Sequence, residues 1–109
     1  MSTWIVSRHP GAVAWLRRHY ELEHARVVEH LVPDAIVAGD QVIGTLPVQL
    51  IAAVCQRGAC YHHLQIPLTL AHRGRELDAD ELDALGASLE CYSARRGATQ
   101  SIPLRRQTL

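Results

Sequence analysis

The sequence predicts an α/β domain, with a mostly parallel sheet of about four or five strands flanked by helices. Three observations carry this expectation. Short apolar, β-branched runs alternate with stretches of helical periodicity. A strand, a tight turn and a helix follow one another twice, first over residues 3–20 and again over residues 41–57. The 109 residues, 48% apolar and 20% charged, supply interior for one hydrophobic core and not for two.

The first strand is predicted at Thr3-Trp4-Ile5-Val6-Ser7, which ends in the turn residues His9-Pro10-Gly11. A helix over residues 11–20 follows, with Val13, Leu16 and Tyr20 at helical spacing and Pro10 near the first turn, where its missing N–H costs nothing. Residues 25–31 are short and stop at Val32-Pro33-Asp34, which favours a strand. Ala38-Gly39-Asp40 signals a turn, and residues 41–46 form the next strand, running directly into Pro47. Val48, Ile51, Ala52 and Cys55 then give a second helix an apolar stripe that ends at Arg57-Gly58. Residues 59–66 form a further parallel strand, stopped by Pro67. Asp78 and Glu81 have capping-box spacing, and Leu82, Leu85, Leu89 and Tyr92 predict one long face of a third helix. The domain thus spans residues 1–95 in a Rossmann-like order, and residues 96–109 form an Arg-rich tail without periodicity.

Composition narrows the chemistry. Eleven acidic residues balance eleven basic ones, so no net field draws in a DNA duplex. Every basic residue is arginine, which excludes a phosphate-loop lysine and Schiff-base chemistry but keeps bidentate phosphate recognition available. Three cysteines, Cys55, Cys60 and Cys91, read as reduced thiols. Met1-Ser2-Thr3-Trp4 is no basic leader, and no run approaches the roughly 20 apolar residues of a membrane span, so a cytoplasmic protein with no membrane partner is expected.

In an open α/β sheet, ligands bind beyond the carboxyl ends of the strands where the strand order reverses. The two turns, Ser7-Arg8-His9 and Gly44-Thr45-Leu46-Pro47, are therefore expected to share one crevice, each at a helix N-terminus with N–H groups to offer an anion. Ser7 and Thr45 add hydroxyls and Arg8 a cation; alternatively the hydroxyls only cap helices and Arg8 is solvated. His9 is a candidate proton-transfer group or a turn residue bonded to backbone. Arg73 and Arg75 lie in a loop on the same side, able to reach a ligand or merely solvated. The three-glycine dinucleotide fingerprint is absent, and strand alternation sends His62 and His63 to opposite faces, so neither a nucleotide cofactor nor a metal is expected.

The segments Trp4-Ile5-Val6-Ser7-Arg8-His9-Pro10-Gly11-Ala12, Gly39-Asp40-Gln41-Val42-Ile43-Gly44-Thr45-Leu46-Pro47-Val48 and Arg73-Gly74-Arg75-Glu76-Leu77 resemble a small CRISPR-associated family of type III systems, over about residues 3–93. The resemblance implies a CARF-like, Rossmann-type domain acting as a ring nuclease on cyclic oligoadenylate, foremost cyclic tetra-adenylate. On that implication the substrate's own 2′-hydroxyl attacks without a metal, Arg8 holds the scissile phosphate, Ser7 and Thr45 orient it, and His9 moves a proton. A symmetric ring further implies a homodimer with the ligand on the dyad. Two alternatives stay open: a protein that binds the ring without cutting it, and a protein-interaction adaptor using the sheet edge or tail.

Overall fold

The computed structural model describes residues 1–97 together with 105 and 107. The Arg-rich tail therefore lies mostly outside the described residues. Within them the chain runs β1 (Thr3–Val6), α1 (Pro10–His19), β2 (Arg26–Val28), a 3₁₀ turn (Pro33–Ala35), β3 (Gln41–Gly44), α2 (Val48–Gln56), β4 (Cys60–Gln65), a second 3₁₀ turn (Leu70–His72), α3 (Ala79–Leu85) and β5 (Ser88–Tyr92). The five strands form one sheet in the order β2-β1-β3-β4-β5, with the first four parallel and β5 antiparallel at the edge. This is the Rossmann-like α/β architecture that the alternating pattern predicts.

Pleating divides the core into two layers. Ile5, Ile43 and Leu64 face α1 and α3, where Trp15, Leu16 and Leu82 meet them. Val6, Val42 and Tyr61 face the other way, against Val54 of α2 and Ile36. Trp15 also donates its indole N–H to Asp83 Oδ1 at 2.7 Å, tying α1 to α3. Arg18 joins this tie through Asp80 (2.9 Å) and Asp83 (2.7 Å), and these contacts, led by Arg18, hold the Asp83 carboxyl below its ordinary range. At the opposite, amino end of the strands the fully buried Asp40 accepts from the N–H groups of Ser2 and Val37 and from the Trp4 indole, which lower its pKa despite the burial.

The structure corrects several expectations. The third helix does not continue through Leu89 and Tyr92: it ends at Leu85, and Gly86, at φ +80°, takes the left-handed cap that other residues rarely adopt. Leu89 and Tyr92 belong to β5, whose residues pair with β4 from Gln65↔Ser88 to Tyr61↔Tyr92. The exposed edge of β4 offers unpaired backbone groups, and a strand satisfies them where a longer helix cannot. The predicted capping box is present, with Asp78 Oδ1 accepting from Glu81 N at 2.8 Å and Glu81 Oε1 from Asp78 N at 3.3 Å. The second strand shrinks from residues 25–31 to Arg26–Val28 because the chain turns away toward Pro33. In α2 the buried side is carried by Ala52 and Val54, while Val48 is 67% exposed, so the helix is rotated from the face its apolar spacing suggests. Among the described residues, no helix is long and apolar enough to cross a membrane.

Candidate functional site

From β1 the chain crosses to β2 on one side, and from β3 it crosses to β4 on the other, so the order reverses between β1 and β3. Beyond the carboxyl ends of these strands lies a cavity of about 820 Å³, at the upper end of the range usual for small-molecule sites. Ser7 and His9 line it from the first turn, Gly44 and Thr45 from the second, and Arg73 and Arg75 from the loop before α3. Six of the nine residues singled out in the sequence therefore meet in one place. Arg8, Leu46 and Pro47 do not line it: Arg8 and Pro47 are exposed, and Leu46 is buried.

Backbone geometry assembles the first turn. Ser7 N donates to Val28 O at 2.9 Å, and Ser7 Oγ accepts from His9 N at 3.1 Å, which folds the chain into α1. His9 is the N-cap residue, yet its side chain makes no capping bond. Its Nδ1 instead lies 2.9 Å from Glu76 Oε1, so the carboxylate orients the ring. The Glu76 loop can approach because residue 11 is glycine: a Cβ there would stand 1.8 Å from the Leu77 carbonyl oxygen.

The second turn spends one of its expected donors internally. Leu46 N donates to the Tyr61 hydroxyl at 2.9 Å, and that hydroxyl donates to Gly44 O at 2.9 Å and contacts His63 Nδ1 at 2.6 Å. Burial raises the Tyr61 pKa, so the phenol stays neutral. By helix geometry Val48 and Gln49 keep free N–H groups at the start of α2, and Gly11 does so at the start of α1.

In the third segment Arg75 is held by Glu81 at 2.5 Å, whereas the Arg73 guanidinium has no hydrogen bond or ion pair among the described residues and is available to an anion. His72 also lines the cavity; its Nδ1 accepts from Thr69 N at 3.3 Å. Sequence reasoning assigned no role to Glu76, Tyr61 or His72, and weighed His63 only as a metal ligand. In the structure the strand register sets His63 level with Gly44, which stands level with Val6. His62, on the other face, bonds Gln41 Oε1 instead.

The arrangement offers three imidazoles with defined partners, one uncommitted guanidinium, two hydroxyls and helix N-termini around a partly apolar chamber. It suits an anionic ligand that carries apolar rings, and it can move protons at neutral pH. No curated protein and no solved structure matches the chain. A family model described as "Putative CRISPR-associated protein (Cas_VVA1548)" matches residues 4–95, a stretch that runs from β1 through β5 and holds every residue lining the cavity, and the chain belongs to this CRISPR-associated family.

Proposed function

We propose that the protein binds cyclic oligoadenylate, cyclic tetra-adenylate foremost, and cuts it, ending the signal the ring carries in type III CRISPR defence. The observation that carries this reading is the convergence of both strand-to-helix turns and the Arg73 loop on a single cavity, with His9 oriented by Glu76. Membership of a CRISPR-associated family supports the biological setting. In this reading the sheet is a CARF-like ligand domain, and a homodimer presents two copies of the cavity to the symmetric ring.

A ribose 2′-hydroxyl adjacent to the scissile phosphate is an intramolecular nucleophile, so the protein has only to align it, stabilise the crowded phosphorane and shuttle protons. Arg73 is the guanidinium placed for the phosphate, with Thr45 Oγ1, Ser7 Oγ and the free N–H groups of the two helix N-termini as further donors. His9 serves one proton transfer. Two such cuts release linear di-adenylates ending in a 2′,3′-cyclic phosphate.

The test is incubation with cyclic tetra-adenylate in EDTA beside the His9→Ala and Arg73→Ala variants, with products followed by chromatography. Linear di-adenylate from the wild type, lost in His9→Ala, supports the reading. Ring that stays bound and intact makes the protein a sequestering one, and absence of binding overturns both and favours a protein-interaction role.

A further inference from the structure

The Tyr61 hydroxyl has one proton and two acceptor positions, and three neighbours compete for them. Gly44 O, at 2.9 Å, can only accept; Leu46 N–H, at 2.9 Å, can only donate. Once the phenol's proton goes to Gly44 O and one lone pair receives Leu46 N–H, the contact at 2.6 Å is a hydrogen bond only if His63 donates to it through Nδ1–H. Every other assignment leaves one of the three neighbours unmatched. Tyr61 cannot swing away to relax the arrangement, since it is fully buried and packed in the core layer under α2.

The consequence falls on the other ring nitrogen. A neutral imidazole protonated at Nδ1 carries its lone pair on Nε2. Nε2 makes no hydrogen bond among the described residues, and no buried side-chain nitrogen or oxygen there is left without a partner, so this atom is open to solvent on a residue that lines the cavity. Tyr92 packs edge-on against the ring at 5.7 Å and 87°, which restrains its plane, and Glu90, the register partner across β5, makes no hydrogen bond to it. In the sheet His63 is two strands from Val6, about 10 Å at the usual strand spacing, so it and His9 approach the cavity from opposite flanks of Gly44.

We infer that His63 is a catalytic residue, the proton acceptor of the site, and that Tyr61 is a positioning residue that locks it as the Nδ1–H tautomer. This rests on the ring-cutting reading above. The 2′-oxygen bonds to phosphorus as its proton passes to His63 Nε2; the P–O5′ bond breaks, and O5′ takes a proton from the protonated His9 ring. One imidazole gains the proton the other loses, so the pair returns to its starting state by exchange with water.

Two measurements decide it. The ¹⁵N shifts of the labelled, ligand-free protein report the tautomer directly: a protonated Nδ1 and unprotonated Nε2 on His63 support the lock, and the reverse overturns it. Tyr61→Phe keeps the ring packing but should return His63 to mixed tautomers; if that variant does not fold, the wild-type shifts still decide. In turnover of cyclic tetra-adenylate, His63→Ala should lower kcat by about 10²- to 10⁴-fold with little change in ring binding. Wild-type turnover in His63→Ala, while His9→Ala is inactive, overturns this assignment and leaves the ring-cutting reading standing. A wild-type protein that binds the ring without cutting it overturns that reading, and with it the catalytic role, whatever the shifts show.

Discussion

Gly11→Ala tests whether the approach of the Glu76 loop to α1 organises the site. Residue 11 lies in the first turn of α1, and its φ is not positive, so alanine suits the local backbone. Helix propensity alone then predicts stabilisation by roughly 0.5–1 kcal/mol. The tertiary structure reverses the sign. The new Cβ would sit 1.8 Å from the Leu77 carbonyl oxygen, and ordinary van der Waals contact begins at 3.4 Å, so the loop must retreat by about 1.6 Å. That obstacle is backbone, which cannot yield by a rotamer change, and overpacking of this kind costs about 1–3 kcal/mol. For a domain of this size the loss lowers Tm by about 5–20 °C. Glu76 moves with its neighbour Leu77, stretching the 2.9 Å contact to His9 beyond hydrogen-bond range. A misplacement near 1 Å costs on the order of 10²-fold in rate. Thermal unfolding and turnover of cyclic tetra-adenylate, measured beside Gly97→Ala, where nothing among the described residues lies within 4 Å, read both effects. A Gly11→Ala protein as stable and as active as Gly97→Ala would refute the argument that this glycine seats the loop.

Other expectations follow from single contacts. Asp78→Ala removes the acceptor of Glu81 N and should destabilise by about 1 kcal/mol in urea unfolding, with Asp78→Asn recovering most of it. Asp83 has its folded pKa below the unfolded value, chiefly through Arg18, so its contribution is present above the unfolded carboxylate range and is lost as pH falls through the folded value. Asp83→Asn should therefore flatten the acid limb of stability against pH, as unfolding curves across pH would show. Arg73→Ala should raise the Kd for cyclic tetra-adenylate by about tenfold or more in calorimetric titration, and Arg8→Ala much less, because Arg73 lines the cavity and Arg8 does not.

Much of the site was legible because it depends on topology. Two strand-turn-helix units in one parallel sheet bring Ser7, His9, Gly44 and Thr45 to the same end, whatever the detailed packing. Arg73 and Arg75 followed from lying after a strand that ends on that side. Leu46 lies outside the cavity lining for a local reason: its N–H looks free at a helix start, but it is taken by a tyrosine fifteen residues away. Arg8 sits between two lining residues, and a turn sends neighbouring side chains in different directions. Glu76 could not be paired with His9 from spacing, since 67 residues separate them.

Periodicity, turn residues and the order of elements were sufficient to determine the α/β class, the parallel centre, two of the three helices and the end of the sheet where the cavity lies. These are local properties, set by which side chains repeat on a strand or a helix and by where Gly and Pro interrupt them. Tertiary structure alone decided that residues 88–92 pair with β4 rather than extend α3, and that Glu76 reaches His9. It also decided that one buried phenol holds Gly44, Leu46 and His63 together. Each of these depends on an unpaired backbone edge, a close approach or a proton count that exists only once distant segments are packed against one another.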